Sequence, residues 1–147
     1  VYEMCGEWTD ATRDMNIADK EYLALTAGLL GLHPLIDAPY IWEWTDNTVA
    51  LAAIQHLTSS RPVIQELSAF RAEWLQENLV FTVGERITSK NNLWADWGSR
   101  GRVDLLQAHA MELGLSVVQV GVNKAVTEAF MIAERCYKSL TSDVGDS

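Results

Sequence analysis

One helix-forming segment constrains the fold of this chain more than any other feature. Between Lys20 and Leu32, apolar residues recur so closely that they cover most of a helix surface. These residues are Leu23, Leu25, Ala27, Leu29, Leu30 and Leu32. Because a helix that is apolar on most sides must be covered on more than one side, we expect it at the centre of a layered domain. Pro34 and Pro39 bracket its predicted exit.

Segments with strand character alternate with further helices along the chain. Tyr40 to Thr45 is short and aromatic, Leu79 to Ile87 is a second strand with a possible bend at Gly84, and Leu115 to Val122 is a β-branched third strand. Helical patterns occupy residues 48–57, 62–78, 103–113 and 125–140. This alternation predicts an α/β layered domain with some parallel strand pairing.

The size and composition of the chain favour one domain. With 147 residues, of which 48% are hydrophobic, the chain can bury a sizeable core. We expect a single domain over residues 1–140, followed by a polar tail at 141–147. No apolar run is long enough to span a membrane and no signal peptide is recognised, so we expect an intracellular protein without a membrane partner. Cys5 and Cys136 are expected to be reduced thiols.

Three acidic residues lie in three different local settings. Glu21 opens the apolar helix, Asp46 ends the aromatic strand, and Asp96 follows a polar loop at residues 88–92. Carboxylates on separate rigid elements can converge on two divalent cations, which together stabilise the attacking and leaving oxygens of a phosphodiester displacement. This order and spacing therefore suggest a two-metal nuclease site.

The segments around these residues resemble the RNase H domain of retroelement polymerases. The resemblance runs from about residue 8 to about residue 100, and the part beyond it, residues 101–140, is a helix, strand and helix extension. It rests on Ile17 to Glu21 with the helix that follows, on Thr45-Asp46-Asn47, and on Asn92-x-x-Ala95-Asp96-x-x-Ser99-Arg100. The last motif is the most specific of the three.

This resemblance implies a fold, an activity and a set of ligands. The fold would be an RNase H-like mixed sheet flanked by helices. The activity would be hydrolysis of the RNA strand of an RNA–DNA hybrid, with two Mg²⁺ or Mn²⁺ ions. Glu21, Asp46 and Asp96 would be the catalytic, metal-binding carboxylates. The remainder of a longer polymerase polyprotein would be a partner.

The chain departs from the family at its beginning. The family's first carboxylate lies on a strand that precedes the helix by a meander, whereas this chain has only a short extended piece before Glu21, and Asp10 and Asp14 are too close to that residue to replace it. The domain is thus predicted to be truncated at its N-terminal side relative to the family. A fourth carboxylate would come from elsewhere, and either a partner segment completes the sheet or the sheet is rearranged.

Other interpretations compete with catalysis. Glu21 suits the helix dipole, Asp46 or Asn47 can cap the next helix, and Asp96 can cap a short helix from Trp97. The formal charge of −9 opposes simple nucleic-acid binding. The alternative function is a catalytically inactive RNase H-like scaffold or interaction domain, and a third is a nuclease or integrase of the same broad fold that acts on DNA. Most of the tryptophans are expected in the core.

Overall fold

The computed structural model describes the fold of residues 1–145 and the side chains of residues 1–142. Helices and short strands alternate along the chain, as predicted for an α/β protein. The elements are β1 (Tyr2–Glu3), α1 (Ile17–Ile36), β2 (Tyr40–Thr45), α2 (Thr48–His56), α3 (Pro62–Asn78), β3 (Phe81–Arg86), α4 (Leu93–Ser99), α5 (Val103–Glu112), β4 (Val118–Gln119) and α6 (Lys124–Gly145). One turn of 3-10 helix, Ser89–Asn91, precedes α4.

Helix α1 lies at the centre of the domain, as its apolar surface predicts. It contacts α2, α3 and α6. Tyr22, Leu23 and Leu30 are at most 1% exposed. The side chain of Asn16 accepts a hydrogen bond from the backbone N–H of Ala18 at the start of the helix. The helix ends at Asp37, whose φ of 44° is left-handed, so its exit lies between the two prolines as expected.

Strands β2 and β3 pair in parallel over their full length. The register runs from Tyr40 opposite Phe81 to Thr45 opposite Arg86. The strand β3 is uninterrupted at Gly84, where the sequence suggests a bend. A Cβ at this glycine would lie 2.7 Å from Cγ2 of Ile54, so the glycine allows α2 to pack closely on the strand.

The third predicted strand is much shorter than its β-branched pattern indicates. Only Val118–Gln119 forms a strand, which pairs in parallel with Tyr2–Glu3 at the N-terminus. Val118 is half-exposed, and little surrounding structure stabilises a longer ladder there. Within residues 1–145 the strands therefore form two separate two-stranded pairs, where the RNase H resemblance implies one larger mixed sheet.

A buried polar cluster joins β2 to α3. Arg71 forms an ion pair with Glu43, and both side chains are almost fully buried. The hydroxyl groups of Tyr22 and Ser68 are hydrogen-bonded at 2.9 Å in the same region, where the Arg71 guanidinium lies 5.8 Å from the Tyr22 ring centroid. Removal of either member would leave an uncompensated buried charge. The pair therefore couples β2 to α3.

The last helix is longer than predicted. Helix α6 continues from Lys124 to Gly145, so residues 141–145 of the predicted polar tail are helical and residues 146 and 147 lie outside the described residues. No proline or glycine interrupts residues 141–144, and the Thr141 hydroxyl donates to the backbone oxygens of Tyr137 and Lys138. Over residues 1–145, no helix has both the length and the hydropathy required to cross a membrane.

Candidate carboxylate site

Glu21 projects from the first turns of α1 into a partly buried position. Burial raises the pKa of its carboxyl above the ordinary value, and the negative charge of Asp46 raises it further. Two carboxylates from different elements are therefore close enough to repel each other. A favourable dipole alone does not describe this residue, because a helix N-terminus would stabilise the ionised form.

Asp46 follows β2 directly and remains available for binding. The cap of α2 is Asn47, whose Oδ1 accepts a hydrogen bond from the backbone N–H of Ala50 at 2.9 Å. Asp46 instead accepts a hydrogen bond at Oδ2 from the hydroxyl of Ser89, at 3.0 Å. Of the two residues that the sequence offered as the helix cap, the structure uses Asn47, and the Asp46 carboxylate is exposed.

Asp96 lies on α4 and is held by a local ion pair. The helix begins at Leu93, so Asp96 belongs to its first turn and does not cap a helix from Trp97 as one interpretation suggested. An oxygen of its carboxylate lies 3.2 Å from Nε of Arg100, one turn later. No residue of α4 is buried, so few contacts fix this helix on the domain.

The three predicted site residues line a single open cavity of about 820 Å³. Residues 41–45 of β2 and the adjoining Asp46 form one wall, one side of α1 forms another, and α4 contributes Asp96. We call this cavity the β2 groove. Residues that lie 25 and 50 positions apart in sequence thus line one cavity of the fold.

The three carboxylates do not form a metal centre in this arrangement. Among the described residues, no group of three or more histidine, cysteine, aspartate or glutamate side chains is close enough to hold one ion. Asp96 is paired with Arg100, and Asp46 with Ser89, so two of the three carboxylates have other partners. The carboxylate oxygens are nevertheless the donors that Mg²⁺ prefers, and the repulsion between Glu21 and Asp46 is of the kind that a divalent cation relieves.

Two polar residues of this groove carry no recognisable signal in the sequence. Ser89, the partner of Asp46, belongs to a polar loop that resembles any surface turn. Lys20 places its ammonium 5.4 Å from the ring centroid of Trp8. The sequence offers one clue for Lys20, its adjacency to Glu21, and none for Ser89.

The exposed face of β2 and β3 is aromatic. The rings of Trp42 and Trp44 are stacked with centroids 6.3 Å apart, and those of Tyr40 and Phe81 with centroids 5.7 Å apart. Trp42 is 55% exposed and Trp44 is 49% exposed. The expectation that most tryptophans lie in the core is therefore wrong, and none of the six is fully buried.

Comparison of the chain with known proteins finds no matching family model, no matching curated protein and no matching solved structure. The resemblance to RNase H therefore rests on the three sequence motifs and their order. The structure adds one geometric observation, which is that the acidic residue of each motif lines the β2 groove.

Proposed function

We propose that this chain is an RNase H-like nuclease module that hydrolyses the RNA strand of an RNA–DNA hybrid with Mg²⁺ or Mn²⁺. One observation carries the proposal: Glu21, Asp46 and Asp96, the residues that match the family's metal-binding carboxylates, line one groove. The strand end at Asp46 and the helix start at Glu21 supply two carboxylates from well-packed elements.

Glu21 and Asp46 would bind the first cation. Burial raises the pKa of Glu21 and the charge of Asp46 raises it further, and a divalent ion between the two charges would remove their mutual repulsion. Ser89 orients one oxygen of Asp46 through its hydroxyl. Asp96 would join the metal-binding set after exchanging Arg100 for the ion. Bound metal ions would supply activated water and stabilise the leaving oxygen.

The net charge of −9 requires such cations for contact with nucleic acid. Arg100 and Arg102, the two arginines nearest to Asp96 in the sequence, are paired with Asp96 and Asp104. Transfer of Asp96 to a metal ion would free Arg100 for a phosphate of the hybrid. A fourth carboxylate, which the resemblance implies, would come from another segment.

The proposal is tested by cleavage of a labelled RNA–DNA hybrid in Mn²⁺. We expect cleavage by the chain and its loss in Asp46→Asn. Asp37→Asn is the matched control, because Asp37 is an exposed carboxylate at the end of α1 that does not line the β2 groove, and asparagine tolerates its left-handed backbone. This control should cleave like the unaltered chain.

Calorimetric titration with Mg²⁺ or Mn²⁺ separates binding from chemistry. We expect a site that Asp46→Asn removes and Asp37→Asn leaves intact. If no such site is found in folded protein, the nuclease proposal is wrong. Equal cleavage of double-stranded DNA would instead indicate a different nuclease of the same broad fold.

The second candidate is a catalytically inactive interaction domain. It is favoured by the edge of β2 with which no strand of residues 1–145 pairs, and by the pairing of Asp96 with Arg100 in place of a formed metal site. Under this proposal, the carboxylates of the β2 groove contact a partner, and the hybrid is neither bound nor cleaved. Cleavage that depends on Asp46 would exclude it.

A further inference from the structure

The edge of β2 that faces away from β3 has unused backbone hydrogen-bonding groups. The backbone oxygens of Pro39 and Thr45 accept hydrogen bonds from Phe81 and Ile87 on the β3 side. Because backbone groups alternate between the two edges of a strand, the odd-numbered residues of β2 face β3. The N–H and C=O groups of its even-numbered residues therefore face the other edge, where no strand of residues 1–145 pairs with them. The even-numbered residues of β2 are Tyr40, Trp42 and Trp44.

The β2 groove runs along this free edge. Six consecutive residues, 41–46, line it, so the groove extends along the strand. On the α1 wall the groove is lined by Ala24 and Gly28, two small residues one turn apart. A Cβ added at Gly28 would meet no atom within 4 Å. The space beside the strand is thus open over more than one turn of the facing helix.

The lining of the groove is apolar in its body and acidic in its charges. Apolar side chains come from α1 and α6, among them Leu25, Leu32, Val126 and Phe130. The lining carboxylates are Glu3, Glu7, Glu21, Glu43, Asp46 and Asp96, and Lys20 is the one lysine or arginine among the lining residues.

Glu43 is the lining carboxylate that has an unsatisfied oxygen. One of its oxygens binds Arg71, whereas its Oε1 is buried without a hydrogen-bond partner among the described residues. Buried carboxylate oxygens are normally satisfied. Glu43 is also one of the residues that line the groove.

We propose that the β2 groove binds an extended segment of a partner polypeptide, which pairs with the free edge of β2 as an additional strand. A strand added to a sheet edge obtains its affinity from main-chain hydrogen bonds and its specificity from alternate side chains. The segment carries apolar side chains toward α1 and a lysine or arginine for the acidic lining. Nucleic acid is disfavoured as the occupant of the edge, because bases do not continue a β ladder and because, without bound cations, the acidic lining repels phosphates.

This inference does not depend on nuclease activity, and its test uses neither metal nor nucleic acid. A displayed library of random decapeptides is selected on the immobilised 147-residue chain. We expect enriched peptides in which apolar residues recur at every second position and at least one lysine or arginine is present. With a selected peptide bound, amide hydrogen exchange should slow at Tyr40, Trp42 and Trp44.

Backbone pairing is separated from side-chain contact by two variants. Trp42→Pro removes an N–H that faces the free edge and makes no bond to β3, so we expect it to weaken peptide binding at least tenfold. Trp42→Ala keeps the N–H and removes the ring, and should retain the protection of the edge amides. Circular dichroism confirms that each variant is folded.

The selected peptides provide a test that requires no variant to fold. Each is synthesised in two forms, N-methylated at its odd or at its even positions. An added strand presents only one of these sets to β2, so one form should lose binding and the other should retain it. Equal behaviour of the two forms, protection elsewhere on the chain, or a library without enriched peptides would overturn the proposal. Peptide binding without metal-dependent cleavage would reject the nuclease proposal and support the strand-addition proposal.

Discussion

The three carboxylates of the β2 groove are supported by two very different parts of the molecule. Glu21 and Asp46 belong to residues 17–86, where α1, α2, α3 and β2 share one buried core. Asp96 belongs to residues 87–122, where Leu106 and Ala110 are the two buried residues. The first part fixes side-chain positions by packing, whereas the second fixes Asp96 mainly by its bond to Arg100.

This difference shows which part of the site can rearrange. Packed elements hold their residues against a cost of several kcal/mol, but an exposed ion pair contributes about 0–1 kcal/mol. Exchange of Arg100 for another partner therefore requires little energy. Displacement of Glu21 or Asp46 would require movement of α1 or β2. We infer that Asp96 is the adjustable member of the carboxylate set.

The largest expected effect tests whether the two parts differ in packing. Ile64 of α3 is fully buried, so Ile64→Ala should lower the free energy of unfolding by about 2–5 kcal/mol. Leu93 at the start of α4 is 47% exposed, and Leu93→Ala should change the free energy of unfolding by no more than about 0.5 kcal/mol. Urea denaturation followed by circular dichroism measures both. Similar losses in the two variants would show that α4 is as tightly packed as α3.

A smaller effect is expected at the two asparagines that begin helices. Asn47→Ala removes the hydrogen bond to the Ala50 N–H, and should cost about 1 kcal/mol of stability. Asn92 begins α4 without a side-chain cap bond, so Asn92→Ala should cost at most a few tenths of a kcal/mol in the same denaturation assay. A larger loss in Asn92→Ala than in Asn47→Ala would contradict the assigned capping.

The smallest effect concerns the pH dependence that Glu21 gives to stability. Its pKa is higher in the folded chain than in the unfolded chain, so the folded state binds more protons between the two values. Stability then falls as the pH rises from the unfolded pKa through the folded pKa, and the loss persists at neutral pH. Glu21→Gln should therefore melt at a higher temperature than the unaltered chain at pH 7, with little difference at a pH below the unfolded pKa.

Two comparisons check the cause of this shift. In Asp46→Asn the pKa of Glu21, followed by carbon NMR of its carboxyl, should fall, because one of the two contributions to the shift is removed. Asp104→Asn is the control, since Asp104 is exposed, is paired with Arg102 and does not contribute to that shift. An unchanged Glu21 pKa in Asp46→Asn would show that burial alone raises it.

The elements with strong local signals were predictable. Strand β2 has the predicted bounds, and α3 begins at Pro62 as the sequence indicates. The reversal after α5 is equally local, since Gly114 adopts a φ of +73°, a conformation that glycine favours after a helix end. These features depend on short-range sterics and capping, which neighbouring residues determine.

Features that depend on distant partners were not predictable. Glu43 and Arg71 would be assigned to the surface by residue type, yet each is buried because the other is present. The β-branched residues around Val118 form only a two-residue strand, since β1 offers no longer partner. Trp42 and Trp44 remain exposed because no element of the described chain covers their face.

By itself, the sequence determined the apolar central helix, the alternation of strands and helices, and the three acidic residues in three different local settings. The tertiary structure decided that these residues line one groove, that Asp46 is free of capping, and that Asp96 is bound to Arg100. The reason is physical. Periodicity and capping act within a few residues, whereas a shared groove, a buried ion pair and an unpaired strand edge arise only when distant segments pack together.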